Sequence, residues 1–179
     1  SLTDLDKAFT SVFDDMTDKF EFIGFDACLM ATVETANVLV PHARYMIASE
    51  ETEPGRGWDY TEIGRYLDEN PGCTGAQVGK VAADSFYESC AASDEEAGAT
   101  LSVTDLSKID KLIVAINNAA ASMNGASDDS SNLSGMVRSI RNAKNYGGNN
   151  KSEGYTNMVD LGELFKSACG DSEAQAVMD

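Results

Sequence analysis

One cysteine stands where a nucleophile would be useful. The run Phe20 to Phe25 is apolar, aromatic and β-branched enough to form a strand, and Cys28 follows it where helix-compatible sequence begins. In open α/β sheets ligands collect beyond the carboxyl ends of the strands, so a side chain just past a strand points into a crevice. A helix starting at Cys28 would set free N–H donors and the positive end of its dipole beside the sulfur, which favours thiolate. Asp26 opposes this by placing negative charge two residues away. The alternative is a buried structural cysteine, since free cysteine is among the most buried residue types.

Asp26 has chemistry of its own. Side chains alternate along a strand, so Asp26 faces the same side as Cys28 and can line a pocket beside it, where an arginine would find a bidentate, charge-assisted partner. Its other role would be to accept backbone N–H bonds and shape the turn. A cysteine nucleophile also needs a base within hydrogen-bond reach, and the sequence holds one histidine, His42. A helix between the two would separate them by roughly 15 to 20 Å. His42 therefore reads as a helix C-terminal residue, where a cation is favoured by the dipole.

These residues need elements to position them. Residues Thr3 to Asp18 read as an amphipathic helix opened by a Thr3/Asp6 capping box, with Leu5, Phe9, Val12, Phe13 and Met16 on its apolar face. Ala31 to Val40 should be helical and stop at Pro41, and Tyr45 to Ala48 should be a second strand. Strand, helix and strand in succession imply a parallel crossover, which puts Ser49, Glu50 and Glu51 on the same rim as Cys28. The loop Thr52 to Asp59 contains Pro54, Gly55 and Gly57 and presents Trp58, the single tryptophan, either as a groove wall or as cover for the core.

Further along, Asp59 to Leu67 suits a short helix, and Thr74 caps a longer one with Val78, Val81, Ala82, Phe86 and Cys90 inward. Ser93 to Gly98 is an acidic turn. Thr100 to Thr104 alternates as a strand, and Ser107 with Asp110 opens a helix through Ala121. A polar loop, Asn124 to Asn132, precedes a short helix, Leu133 to Asn142, and the Gly/Asn-rich segment from Asn145 to Asn157 is expected to be mobile. Asp160 caps a helix to Ala168, and Ser172 to Asp179 starts another.

Several separated motifs occur in order: Phe25-Asp26-Ala27-Cys28-Leu29-Met30, Val33-Glu34, Ala48-Ser49-Glu50-Glu51, Gly57-Trp58-Asp59-Tyr60, Tyr146-Gly147-Gly148 and Tyr155 to Leu161. Together they resemble the clostripain family of cysteine peptidases. The resemblance implies a caspase-hemoglobinase-like α/β/α sandwich with a mainly parallel sheet, forming one peptidase domain over residues 1–179. It implies Cys28 as nucleophile, with its own N–H supplying part of the oxyanion hole. It also implies Asp26 as the carboxylate that receives Arg, or Lys, before the scissile bond, with Glu50 and Glu51 as second contacts.

In that family the catalytic histidine lies in a His-Gly pair upstream of the cysteine, and maturation cuts between them to give a light and a heavy chain that stay together. This chain is then expected to be a heavy-chain portion, cut at both ends, inactive alone, and with its sheet open beside Phe20 to Phe25. The family implies a bacterial, secreted or cell-envelope protein, and its calcium-dependent members leave calcium as the one cofactor to consider. The competing function is a pseudoenzyme or acidic module binding cationic peptides or calcium.

Composition narrows the partners. A net charge of −17 and a pI near 4.2 argue against phosphate backbones and anionic membranes as partners and would attract cationic substrates, the alternative being that the charge serves solubility. No apolar run is long enough to span a bilayer, and no signal-like succession opens the sequence. The cysteines at 28, 73, 90 and 169 match no zinc spacing, and with Cys28 kept for chemistry the remaining odd number is expected to be free thiols. The acidic turn Asp94-Glu95-Glu96 lacks the spaced ligands of a calcium loop.

Overall fold

Phe20–Gly24 (β1) and Ala43–Ala48 (β2) form a parallel pair joined through the helix Val33–Leu39 (α2), the expected crossover. The computed structural model describes residues 1–13, 18–126, 130–150, 152, 154–168 and 171–178, which divide into two compact units, Ser1–Ile109 and Asp110–Asp179.

In the first unit the sheet order is β1-β2-β3, where β3 is Ser102–Asp105. The sheet is mixed: β3 runs antiparallel to β2, with Ala48 opposite Ser102. The reason lies in the helical hairpin between them, Tyr60–Glu69 (α3) and Gly75–Ala91 (α4). Gly75 N–H donates to the Glu21 carboxylate near the start of β1, so α4 begins at the lower end of the sheet and returns the chain to the upper end. The next strand can then only descend.

Residue types explain the packing of this hairpin. Thr74 and Gln77 form a reciprocal capping box that starts α4. Val78, Ala82, Phe86 and Cys90 are buried in one cluster with Ile47, Trp58 and Ile63, at the 3.6-residue spacing expected. Gly79 lets the helix approach the sheet, because a Cβ there would lie 2.5 Å from Val103 Cγ2. Leu2–Phe13 (α1) begins two residues earlier than the Thr3/Asp6 pattern suggested. Ser1 Oγ accepts from Asp4 N–H at 3.4 Å, and Asp6 instead meets His42. Residues 14–17 of the expected helix, with Met16, lie outside the described residues, and its expected last residue, Asp18, is not helical.

β1 has a strand partner on one side only among the described residues, as an open edge requires. The strand β3 is followed by a 3₁₀ turn, Leu106–Lys108, whose N-cap is Asp105: its carboxylate accepts from Ser107 N–H at 3.0 Å. The capping role read into Ser107 thus belongs two residues earlier.

The second unit holds Ile109–Ala126 (α5) from its second residue on, Ser130–Asn142 (α6), Leu161–Ala168 (α7) and Asp171–Met178 (α8). Both α5 and α6 extend into the stretch expected to be a polar loop. Ala115, Ala119, Phe165 and Val177 form the core of this unit. Within and just beyond the segment Asn145 to Asn157, expected to be mobile, the described residues form two small antiparallel ladders, Asn145–Tyr146 (β4) with Met158–Val159 (β7) and Asn149–Asn150 (β5) with Gly154–Tyr155 (β6). Gly147 and Gly148 adopt positive φ between them, and Thr156 Oγ1 donates to the carbonyls of Tyr146 and Gly148. Asp160 accepts from Glu163 N–H at 2.7 Å and caps α7 as expected.

Candidate active site

The β1–β2 pairing continues beyond the strands and builds the rim. Phe25 N–H donates to the Ile47 carbonyl at 2.9 Å, Leu29 N–H to Glu51 at 3.1 Å and Ala31 N–H to Ser49 at 2.9 Å. Leu29 sits in the left-handed region at φ 63°, which interrupts a helix at this point. The helix therefore begins only at Val33, after Thr32, whose hydroxyl accepts from Thr35 N–H at 3.1 Å. This corrects the expectation that Cys28 stands at a helix start. Cys28 lies in a turn, exposed, and the donor beside its sulfur is the Glu53 N–H, 3.2 Å from Sγ.

The opposite wall of this turn is held by two hydroxyls. Ser49, fully buried, donates to the Glu51 carbonyl at 2.9 Å and meets Thr100 Oγ1 at 2.7 Å, while Thr100 Oγ1 accepts from Glu51 N–H at 3.0 Å. The Glu51 carboxylate turns back onto Thr52 N–H at 2.8 Å. Glu51 thus anchors Leu29 through its carbonyl, and its carboxylate is engaged within its own loop. Glu50 is half-buried beside it.

Asp26 is exposed, and the 52–59 loop closes onto it. Its Oδ2 accepts from Trp58 N–H at 3.3 Å and from the Tyr60 hydroxyl at 3.0 Å. Gly57, at φ +71°, passes so close that a Cβ would lie 2.8 Å from Asp26 Oδ2. The Trp58 indole itself joins the buried core, so it is cover, and its Nε1–H donates to Glu53 Oε1 at 3.4 Å. Tyr60 stacks on Trp58 with ring centroids 6.4 Å apart and remains exposed.

Glu53 is the site residue that the sequence did not reveal. Its N–H faces Cys28, and its carboxyl accepts from the Trp58 indole N–H at 3.4 Å. Burial, followed by the charge of Asp26, raises its pKa from 4.5 to about 7, against the opposing pull of the Trp58 donor. The available signal was a carboxylate inside a Pro/Gly loop predicted to face the rim. Burial and the Asp26 carboxylate likewise raise the Tyr60 hydroxyl.

His42 lies at the other end of the sheet. It immediately precedes β2, its carbonyl accepts from Phe20 N–H at 2.9 Å, and it is buried against Phe9 with Nε2 3.1 Å from Asp6 Oδ1. A strand of this length separates it from the rim by roughly 20 Å. It is a packed residue below the sheet.

Cys73 and Cys90 are free thiols, and Cys90 is buried, which raises its pKa; Cys169 lies outside the described residues. In the acidic turn, Glu95 pairs with Arg56 at 2.8 Å, and among the described residues no three His, Cys, Asp or Glu side chains gather as a metal site. No helix among the described residues is long and apolar enough to cross a membrane.

Comparison with known proteins agrees with this architecture. No curated protein matches the sequence. Among solved structures, a clostripain from Bacteroides thetaiotaomicron in complex with a peptide inhibitor is 23% identical, with a TM-score of 0.67 over 99% of this chain and 69% of that one. A B. fragilis cysteine protease is 18% identical, with a TM-score of 0.65 and the same coverage. A secreted C11 cysteine protease from B. thetaiotaomicron is 24% identical, with a TM-score of 0.64, and this chain covers 44% of it. The shared fold is the caspase-like α/β fold. The clostripain family model matches residues 1–178, and the chain belongs to that family.

Proposed function

We propose that this chain is the cysteine-bearing part of an endopeptidase that cleaves after Arg, and after Lys, with Cys28 as nucleophile and Asp26 as the carboxylate that receives the basic side chain. One observation carries it: a single loop, Thr52 to Asp59, holds both, through Glu53 N–H on the sulfur and Trp58 N–H on Asp26, which also accepts from the Tyr60 hydroxyl at the start of α3. The two groups are exposed on one rim, where a peptide could lay its carbonyl beside the sulfur and its side chain beside the carboxylate. The acidity of the whole chain favours the approach of a cationic peptide.

In this reaction Cys28 Sγ attacks the carbonyl carbon, and the carbonyl oxygen gains the negative charge that backbone N–H groups, Cys28's own among them, would hold. The thiol proton passes to a histidine and from it to the leaving amine, giving a thioester that water hydrolyses. His42, at the far end of the sheet, does not serve. We assign the base to a companion segment upstream in the precursor, seated along β1, whose second side carries no strand among the described residues. The two compact units act as one peptidase domain in this reading.

The inhibitor named for the B. thetaiotaomicron clostripain contains the sequence VLTK, ending in lysine, which supports a basic residue at the cleaved position. Its secreted relative supports export of this protein too. Glu50, half-buried next to Glu51 on the rim, remains a second contact for the basic side chain or its neighbours.

The test compares this chain alone with the chain joined by its histidine-bearing segment. Turnover of arginyl peptides is expected only from the pair. Robust hydrolysis by the chain alone, lost on Cys28→Ala, would contradict the two-part reading.

A further inference from the structure

The second unit carries a cleft of about 630 Å³, within the range of roughly 300–1,000 Å³ that small-ligand sites occupy. Its lining is mostly apolar, with Met123 from α5, Ile140 from α6 and Leu164 from α7. The polar groups among it include the amides of Asn145 and Asn157 and the guanidinium of Arg141. Asn145 Nδ2 donates to the Met158 carbonyl at 2.7 Å, which leaves Oδ1 to accept a peptide N–H.

The charge of this cleft runs against that of the chain. The sequence holds 30 acidic residues against 13 Lys and Arg, yet no carboxylate lines the cleft and an arginine does. Arg44, Arg56 and Arg65 each meet a carboxylate, at 3.0, 2.8 and 2.8 Å, whereas the Arg141 guanidinium makes no ion pair among the described residues. The last turn of α6 favours a cation there, so Arg141 stands without a carboxylate partner of its own. A guanidinium can offer a carboxylate two parallel donors, and apolar surroundings strengthen that bond.

We propose that this cleft binds the free C-terminal end of a short apolar peptide: Arg141 receives the terminal carboxylate, the apolar lining receives the last side chains, and the asparagine amides pair with the backbone. The amides decide between a peptide and a fatty acid, because an alkyl chain offers them neither donor nor acceptor. This site takes an anion, whereas the pocket proposed for Asp26 takes a cation, so each can be tested without the other.

The test titrates acetyl-Leu-Phe, which ends in a carboxylate, and its C-terminal amide into the complete protein, followed by calorimetry and by the ¹³C-labelled methyl signal of Met123. The acid is expected to bind and to shift Met123, and both the amide and the variant Arg141→Gln are expected to weaken binding about tenfold or more. Equal affinity for acid and amide, or binding that leaves Met123 unmoved, would overturn the proposal. Decanoate that shifts Met123 at lower concentration than the acid peptide would make the occupant a fatty acid and overturn the peptide assignment. Arg141 is exposed, so Arg141→Gln is expected to fold; should it not, the acid and amide compared on the parent protein decide alone.

Discussion

The Glu53 N–H lies 3.2 Å from Cys28 Sγ, and the same loop, five residues on, donates the Trp58 N–H to Asp26. Cys28 and Asp26, the proposed nucleophile and pocket acid, are thus registered to each other through one piece of irregular backbone and not through a helix. Gly57 is the tightest point of that loop. Gly57→Ala forces a side chain into the left-handed region, at a cost of about 1–2 kcal/mol, and against Asp26. The expected outcome is a fall in kcat/KM for arginyl substrates of about tenfold or more, with a smaller fall in reactivity of Cys28 toward a small alkylating reagent.

Stability should depend on pH through Glu53. The folded protein holds its proton up to about pH 7, whereas the unfolded chain gives it up from about 4.5. Between these values the folded state binds more protons, so its stability declines as pH rises through the window. The contribution is complete below it and gone above it. Partial exposure and solvent screening make the effect modest. Melting temperatures of the parent and Glu53→Gln, compared from pH 4 to 8, are expected to show this decline in the parent only; parallel curves would count against it.

Asp26→Asn keeps an oxygen to accept from Trp58 and Tyr60, so the turn should survive. Loss of a charge-assisted bond to the substrate, about 1.5–3 kcal/mol, lowers kcat/KM for arginyl peptides tenfold or more. An Asn variant as active as the parent would remove Asp26 from the pocket.

His42→Ala should leave kcat within about twofold while lowering the melting temperature, because it empties a buried site against Phe9 and strips Asp6 of its partner. The expected destabilisation is about 1–3 kcal/mol. A variant that folds normally but loses turnover would reinstate His42 as the base.

Gly79→Ala is a test of packing. Its Cβ would press on Val103, a stiff β-branched neighbour on β3, so a loss of about 1–3 kcal/mol is expected in denaturant unfolding.

Much of this was legible in the sequence, where pattern and local chemistry agree. The crossover from β1 to β2, the capping box at Thr74 and the inward stripe Val78, Ala82, Phe86 and Cys90 all follow from periodicity and caps. The rim was harder. The turn at Cys28 was hidden because Leu29 and Met30 suit a helix, while the bonds from Leu29 and Ala31 to Glu51 and Ser49 are long-range and leave no local trace. Glu53 was passed over for Glu50 and Glu51 for a related reason: only the folded loop shows which carboxylate turns toward the Trp58 indole. The direction of β3 likewise depends on where α4 delivers the chain, which spacing alone does not record.

The most direct measurement identifies the atom that attacks. This chain joined by the proposed histidine-bearing segment, treated with an irreversible peptide ketone ending in arginine and digested for mass spectrometry, is expected to carry one adduct, on Cys28, formed at a rate that Asp26→Asn reduces. An adduct on another cysteine, or undiminished peptide hydrolysis by Cys28→Ala, would contradict the account.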